Sequence, residues 1–547
     1  MSSAVGALRG LALQVELFCP ENAAGHIATT EQCLQRLVLG GIKLAVVLQA
    51  STAAHAVKQQ RLLANYNLPE NTIVVTAQPR TLAVCLRQAS TVDLPSLTLY
   101  FPGYLTSNKG ICRSIAVKLG VEAPAVGFAA AETQDAAAAC KCAGVQHLQL
   151  SHSHVTGSSH HWFQLLHHVA MSHTLHADAL LVGYTMKPSR ERNLASRGLL
   201  PLTAPHGVCF VPIDFSLPLE QQGPFDILLH KATDELVSRG AEELPQFSVR
   251  IAPLAAYIQA HPATVMVDSL DKLQQVINRQ TLTRCLEEAA SAARAQGHAV
   301  QAPPSIQACH THLLSAIMRQ SQLAQQGREI HSCHYILVDR LGPDAETRRL
   351  LAQHGIRLPC IVKPRVACGT PEAHQMAVVL HEDGFTDLQV VMPGCLQQFI
   401  NHNGKLHKVY VMGDQMHVAE RQSIPNLPAA HTGGAGLPHT IAFDSLKTLP
   451  QRDYLQPHYQ SQQQPPGSGL KHGVVRAITK ELRKILGLTL FGYDTVVQEG
   501  TGVHFIIDVN YFPSYKEFPD AARVLSSVLK KAHYAHTEPK QTVTADV

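Results

Sequence analysis

The stretch Phe491–Lys516 reads FGYDTVVQEGTGVHFIIDVNYFPSYK and predicts a β-hairpin. Two apolar, β-branched runs, Tyr493–Gln498 and Val503–Val509, form its arms. The four residues between them, Glu499–Gly502, contain two glycines and favour a tight turn. Both arms therefore belong to one antiparallel pair, and their alternating side chains point to two faces.

Two carboxylates and one amide share a face of this hairpin. A turn centred near Thr501 places Asp494 opposite Asp508, and strand alternation adds Asn510 to the same face. Hard oxygen ligands without thiols suit Mg²⁺, which takes its remaining ligands from water and substrate phosphates. Acids near hairpin ends can also be simply solvated. Asp508 and Asn510, however, interrupt an otherwise apolar strand, which favours the metal.

The composition indicates a soluble globular protein of three or four structural units. The chain has 547 residues, of which 45% are hydrophobic and 16% charged. A net charge of +4 is too small for electrostatic binding of nucleic acid. No apolar run approaches the roughly 18–20 residues that span a bilayer, so no membrane partner is expected. A secretory signal is not expected either, whereas a transit peptide stays open.

The 13 cysteines are scattered and form no disulfide framework, which favours a cytoplasmic location, with the nucleus as a further compartment. Histidines are concentrated in residues 151–178. These residues either form a polar linker or hold a metal, and the linker is favoured because no ordered ligand spacing emerges.

Residues 1–150 alternate short apolar runs with helical stretches, which predicts a small parallel α/β domain. The region has no glycine-rich phosphate-binding motif. The expected strands are Lys43–Gln49, Asn71–Ala77 and Leu97–Phe101, and the expected helices cover about 31–39, 54–65 and 81–89.

Two further stretches have clear local patterns. Residues 424–469 are rich in Pro, Gly, Ser and Gln and predict a mobile loop. The following run, Leu470–Leu486, predicts an amphipathic helix that ends at Gly487.

The motif LFGYD, which ends at Asp494, and the motif DVNYFP, which begins at Asp508, resemble the metal motif of a known family. These are the inositol 1,3,4-trisphosphate 5/6-kinases, also called inositol-tetrakisphosphate 1-kinases. The similarity extends from Leu180 to about residue 530. It implies an α/β fold with an ATP-grasp kinase core. Plant and algal members have an extra N-terminal domain, and the resemblance implies that residues 1–150 are such a Rossmann-like or haloacid-dehalogenase-like domain.

The resemblance also implies how the core is divided. An inositol-phosphate-binding lobe would cover residues 179–275, a central ATP-grasp lobe 276–400 and a C-terminal lobe with the metal hairpin 401–535, followed by a tail at 536–547. The substrate-binding residues implied in this way are Lys187, Arg190, Lys231, His374, Lys408, Asn510 and Ser514.

The same resemblance implies binding of ATP and Mg²⁺. Lys363, Lys408 and Arg421 would act on the transferred phosphate, and residues 397–401 would form the adenine hinge. The implied nucleotide-binding residues are Arg279, Lys363, Gln397, Gln398, Phe399, Ile400, Lys408 and Ser423, and the implied metal ligands are Asp494, Asp508 and Asn510. A lysine on an apolar strand, as Lys363 is, independently favours an anionic partner.

The implied reaction is phosphorylation of inositol 1,3,4-trisphosphate at position 5 or 6, or of the 3,4,5,6-tetrakisphosphate at position 1, by a monomer. One alternative is an ATP-grasp carboxylate ligase, against which the many basic residues on the acceptor side argue. The other is an inositol-phosphate-binding scaffold with weakened catalysis. Cys368 and Ser514 motivate it, since many relatives have histidine and glycine there, whereas the intact metal ligands argue against it.

Overall fold

The computed structural model describes the strands before residue 150, parts of two helices at 31–38 and 163–174, and most of residues 178–538. The gaps in the last range are 238–243, 303–304, 308–340, 387, 429–437 and 448–468. The chain forms two compact units. The first comprises Met1–His230, Pro253–Met266 and Asp520–Val547, and the second Lys231–Ala252 and Val267–Pro519.

The N-terminal part of the first unit contains a five-stranded parallel sheet, which confirms that the predicted strands run parallel. The expected strand Leu97–Phe101 and the helices at 54–65 and 81–89 lie outside the described residues. The likeness to haloacid dehalogenases stays a prediction. The strand order is β3-β2-β1-β4-β5, with β1 (Gly10–Gln14), β2 (Lys43–Gln49), β3 (Ile73–Ala77), β4 (Val126–Ala130) and β5 (Gln146–Gln149).

A second sheet of the first unit has the order β11-β8-β6-β7. Its strands are almost wholly buried apolar runs, as expected for strands covered on both faces. A separate antiparallel pair, β9 (Leu236–Val237) and β10 (Gln246–Phe247), belongs to the second unit. The strands of the four-stranded sheet are β6 (Leu180–Thr185), β7 (Val208–Pro212), β8 (Ile227–His230) and β11 (Val265–Val267). Three helices accompany them, Pro188–Ala195, Ala252–Ala260 and Ala521–Thr537.

Two features of this unit differ from the sequence-based boundaries. Helical residues between 163 and 174 bury Leu166, Val169 and Ala170, so part of the expected linker is packed structure. The final helix Ala521–Thr537 was expected in the C-terminal lobe but belongs to the first unit. There, the Nε2 atom of His536 lies 2.8 Å from the carbonyl oxygen of Pro262.

The second unit contains two five-stranded sheets with the orders β12-β21-β20-β17-β18 and β13-β16-β14-β15-β19. Neighbouring strands run antiparallel except β12 and β21. The strands are β12 (Val300–Gln301), β13 (Ser305–Gln307), β14 (Cys360–Pro364), β15 (Gln375–Val379), β16 (Gly394–Gln398), β17 (Lys405–Met412), β18 (Gln415–Gln422), β19 (Thr440–Asp444), β20 (Leu490–Val497) and β21 (His504–Tyr511).

The predicted hairpin is confirmed by the pairing of β20 with β21. Asp494 lies directly opposite Asp508, and Asn510 lies opposite Gly492. The register shifts between Asp494 and Thr495, so a bulge adjoins the carboxylate pair. Bulges of this kind bend a strand locally and can redirect a side chain.

The helices of the second unit are Leu270–Ile277, Arg279–Ala295, Ala345–Gln353 and His472–Leu486. The last confirms the predicted amphipathic helix. It buries Val475, Ile478 and Leu482, and it ends at Gly487, whose φ of 62° suits a residue without a Cβ atom. Among the described helices, none is long and apolar enough to cross a membrane.

The predicted mobile loop at 424–469 is wrong in part, because it contains the edge strand β19. This strand pairs with β15 along its whole length, from Thr440 opposite Val379 to Asp444 opposite Gln375. Its residues TIAFD gain their order from that partner rather than from a strong local signal. The strand brings Phe443 and the following Ser445 into the site described next.

Candidate active site

A cavity of about 520 Å³ lies within the second unit, and strands of both of its sheets line it. Ile361, Phe399, Ile400 and Phe443 form apolar parts of the lining. Among its described residues, acidic side chains are outnumbered by basic ones. The basic side chains are Arg279, Lys363, Lys408, Arg421 and Lys447, and the acidic ones are Asp494 and Asp508. The cavity therefore suits an anionic ligand with an apolar portion.

The two carboxylates lie where the sequence placed them, facing each other on β20 and β21. Burial raises the pKa of Asp494, Lys408 opposes that rise and Asp508 adds to it. The Oδ1 atom of Asp494 is buried and accepts no hydrogen bond from any described group, while the Lys408 ammonium lies 3.6 Å away. A buried carboxylate oxygen without a donor is costly unless a cation satisfies it. Together with Asn510, which also lines the cavity, this donor set fits Mg²⁺.

Lys363 is held at the end of β14 with its side chain inside the cavity wall. Only 7% of the residue is exposed, and its ammonium donates to the carbonyl oxygen of Ile507 at 3.2 Å. Burial lowers the pKa of Lys363, and the charge of Asp508 counteracts that effect. A bound anion would stabilise this ammonium further.

Arg279 begins the helix Arg279–Ala295, which is capped by the side chain of Asn278. Its guanidinium donates to the carbonyl oxygens of Pro364 at 2.9 Å and Ala373 at 3.2 Å, and lies 3.4 Å from a carboxylate oxygen of Asp508. The planar fork of arginine allows these three contacts at once, which lysine could not provide. Arg279 thus joins both ends of the loop at 364–374 to the hairpin formed by β20 and β21.

Lys408 and Arg421 extend the basic lining along β17 and β18. Lys408 lies opposite Asp494 in the sheet, and the carboxylate is the main cause that raises the pKa of Lys408. Arg421 forms an ion pair with Glu517. A hydrogen bond with the Tyr410 hydroxyl is the main cause that raises the pKa of Arg421. Both cations therefore stay charged when the cavity holds no anion.

The predicted hinge residues Gln397, Gln398, Phe399 and Ile400 line the cavity. The following turn is fixed by Asn426, a residue that the sequence did not single out. Its side-chain oxygen accepts the backbone N–H groups of His402 at 2.8 Å and Asn403 at 2.7 Å.

His374 and Ser423 also line the cavity, as predicted. The Nδ1 atom of His374 lies 3.1 Å from the Ser445 hydroxyl, and burial lowers the pKa of His374, with the charge of Arg279 adding to the effect. Ser445, like Met376 and Phe443, was missed by the sequence. Alternating apolar residues at 440–444 were the available signal.

Four predicted substrate-binding residues do not line the described cavity, and their role stays a prediction. Lys231 and Ser514 belong to the second unit but do not line the described cavity. The buried ammonium of Lys231 donates to the carbonyl oxygen of Tyr511 and lies 5.1 Å from the centre of its ring. Lys187 and Arg190 belong to the first unit, at the start of the helix Pro188–Ala195.

Two family models match the chain. Residues 325–531 match the inositol 1,3,4-trisphosphate 5/6-kinase ATP-grasp domain, and residues 181–273 match the pre-ATP-grasp domain of the same kinases. The predicted ATP-grasp α/β fold is thereby confirmed.

Individual proteins are similar over the same region. Inositol-tetrakisphosphate 1-kinase 6 of Oryza sativa subsp. indica is 31% identical over 379 residues, which are 67% of this chain and 62% of the rice protein. The chain thus spans less than two thirds of that relative. Inositol-tetrakisphosphate 1-kinase of Danio rerio is 30% identical over 360 residues, or 64% of this chain and 79% of the fish protein. The D-alanine–D-alanine ligase of Bacillus anthracis matches 65% of this chain and 98% of its own at 11% identity, but the TM-score of 0.35 is too low to support a conclusion.

Proposed function

We propose, because this chain belongs to the inositol 1,3,4-trisphosphate 5/6-kinase family, that it transfers a phosphoryl group from ATP to an inositol polyphosphate. The observation that carries the proposal is the basic cavity around the partly buried pair Asp494 and Asp508. Phosphoryl transfer requires alignment of the two substrates and neutralisation of phosphate oxygens more than covalent chemistry by the protein. The side chains around the cavity can meet both requirements.

The proposed acceptors are inositol 1,3,4-trisphosphate, at position 5 or 6, and the 3,4,5,6-tetrakisphosphate, at position 1. The family is named for the first, and the names of the relatives indicate a tetrakisphosphate that is phosphorylated at position 1. Acceptors with several phosphates suit a cavity whose basic residues exceed its acidic ones.

On the nucleotide side, the apolar surfaces of Ile361, Phe399 and Phe443 would enclose the purine. Lys363 would bind the nucleotide phosphates. Arg279 holds the loop at 364–374 against the hairpin and thereby positions the end of β14.

The metal would be held by Asp494, Asp508 and Asn510. When bound, Mg²⁺ supplies positive charge that neutralises the oxygens of the transferred group. The ammonium of Lys408 lies 3.6 Å from Asp494, next to the proposed metal ligands, and would contact both substrates. Among the described lining residues, no carboxylate other than the metal pair could act as a general base. Because phosphoryl transfer depends mainly on positioning and on neutralisation of charge, we assign activation of the acceptor hydroxyl to its alignment.

The test incubates the purified full-length chain with Mg-ATP and each of the two inositol phosphates, and separates the products by isomer. We expect ADP together with a tetrakisphosphate or a pentakisphosphate. Alanine and glutamate serve as acceptors in a parallel reaction. Release of phosphate with a ligated amino acid would assign the chain to the carboxylate ligases. Binding of ATP and inositol phosphate without any product would indicate a scaffold, and either result would overturn the proposal.

A further inference from the structure

A second group of potential metal ligands lies on the surface of the second unit. His381, Asp383 and His439 each offer one ligand atom, and the three atoms lie within 4.8 Å of one another. All three side chains are exposed, and none of them lines the cavity described above. The group lies where β15 ends and the edge strand β19 begins.

The backbone holds the two histidines side by side. The carbonyl oxygen of His439 accepts the N–H of Leu380 at 2.9 Å and the N–H of His381 at 3.3 Å. These bonds continue the ladder beyond the pair of Val379 with Thr440. The two imidazole rings are consequently 5.0 Å apart between their centres, with an angle of 34° between their planes.

A short 3₁₀ helix, Glu382–Phe385, presents the third ligand. It is fixed on the segment that bears His439, because the Thr440 hydroxyl donates to the carbonyl oxygen of Gly384 at 2.8 Å. The contact needs glycine, since a Cβ atom there would lie 2.4 Å from the carbonyl oxygen of His439. Asp383 is thus held at a fixed distance from both rings by the main chain.

One ligand pair already has the spacing that a metal requires. The Nδ1 atom of His381 lies 3.1 Å from the Oδ2 atom of Asp383. Two ligands about 2.0–2.1 Å from a tetrahedral zinc ion are about 3.3 Å apart. The same Nδ1 atom lies 3.3 Å from the backbone nitrogen of Asp383, a long contact that a metal ion bound to Nδ1 would replace. A nitrogen lone pair that faces a carboxylate is stabilised by a cation between them.

We propose that His381, Asp383 and His439 bind a divalent transition-metal ion of the zinc class. Two imidazoles and one carboxylate suit Zn²⁺, Ni²⁺ or Cu²⁺ better than Mg²⁺ or Ca²⁺, which prefer oxygen ligands alone. Water would complete the coordination, because three protein ligands leave at least one position open. The bound ion would join the end of β15 to the start of β19, an edge strand whose neighbour in the sheet is β15. The other end of β19 carries Phe443 and leads to Ser445 in the cavity.

The test must resolve single sites, because the chain has 32 histidines. Modification of histidine by diethylpyrocarbonate, read peptide by peptide by mass spectrometry, does so with Zn²⁺ alone as the probe. With the protein at more than 10 µM, we expect one equivalent of Zn²⁺ to slow the modification of both His381 and His439 at least fivefold. Millimolar Mg²⁺ should leave both modification rates unchanged.

Two variants of adjacent residues separate coordination from general surface effects. Asp383→Asn removes the third ligand and should restore most of the modification rate of both histidines at the same Zn²⁺ concentration. Glu382→Gln removes the neighbouring carboxylate, which pairs with Arg348 at 2.7 Å, and should leave the protection intact. The proposal would be overturned by equal rates with and without Zn²⁺ in the folded chain, or by equal protection in both variants.

Discussion

The change Asp508→Asn removes one negative charge from the hairpin while it preserves the size of the side chain. Asp508 lies opposite Asp494 and 3.4 Å from the guanidinium of Arg279, and it is 19% exposed. Its charge also favours the ammonium form of Lys363. The substitution therefore affects a proposed metal ligand and the balance of charge around two cations.

The expected effect on stability is modest. Two opposite charges 3.4 Å apart attract with about 5 kcal/mol at an effective dielectric constant of about 20. The asparagine oxygen retains a neutral hydrogen bond to Arg279, and the repulsion between Asp508 and Asp494 disappears. We therefore expect a net loss of about 1–2 kcal/mol, the difference between a charge-assisted and a neutral bond.

The expected effect on catalysis is larger. Without one anionic ligand, the metal is bound more weakly and neutralises the transferred phosphate less well, so kcat should fall at least about 100-fold, or about 2.7 kcal/mol in the barrier. The change also lowers the pKa of Asp494, because a neighbouring negative charge is lost. The substitution therefore does not favour protonation of Asp494, and the lost activity cannot be assigned to that cause.

The assay measures the rate of ADP formation at saturating ATP and acceptor while Mg²⁺ is varied. Binding of Mn²⁺ in the presence of ADP, followed by electron paramagnetic resonance, gives a readout that is independent of turnover. Asp414→Asn is the matched control, because Asp414 pairs with Arg483 at 2.6 Å in the turn between β17 and β18. A kcat within threefold of the wild type, together with unchanged Mn²⁺ binding, would refute the metal assignment.

Three further predictions follow from the same cavity and its surroundings. Lys363→Met should raise the KM for ATP about ten- to hundredfold with an unchanged circular dichroism spectrum, because one charge-assisted phosphate contact is lost; an unaltered KM would place the nucleotide elsewhere. Lys231→Ala should lower the melting temperature and leave the KM for ATP nearly unchanged, since its ammonium donates to the Tyr511 carbonyl outside the cavity lining. Lys408→Ala should instead raise the KM of both substrates. In steady-state kinetics, a raised KM for ATP in Lys231→Ala with an unchanged KM in Lys408→Ala would contradict these placements. Burial lowers the pKa of His504 to about 4, so the unfolded chain binds a proton below about pH 6.5 that the folded chain does not. The free energy of unfolding should therefore fall by about 2 kcal/mol between pH 7 and pH 5. In thermal unfolding at both pH values, His504→Gln should reduce that fall.

The sequence predicted the hairpin of β20 and β21 well because its signals are local. Alternating apolar residues, two turn glycines and the number of residues on each side of the turn together determine that Asp494 faces Asp508. The helix His472–Leu486 was predictable for the same reason, since its apolar residues recur with helical spacing and Gly487 follows.

Features that depend on distant partners could not be predicted. The strand β19 has five residues in a stretch rich in Pro, Gly and Gln, and its register is set by β15 about 60 positions earlier in the chain. Lys231 follows a buried strand, but no local pattern in the sequence connects it to Tyr511, to whose carbonyl oxygen its ammonium donates.

Three cations of the second unit share one arrangement that explains how positive charge is kept near the hairpin before a substrate arrives. Lys363 donates to the carbonyl of Ile507, Lys231 to that of Tyr511, and Arg279 to those of Pro364 and Ala373. A carbonyl dipole stabilises a buried cation without cancelling its charge. Main-chain partners therefore help to fix the positions of the three cations, while Asp508, 3.4 Å from Arg279, offsets part of the charge of that guanidinium.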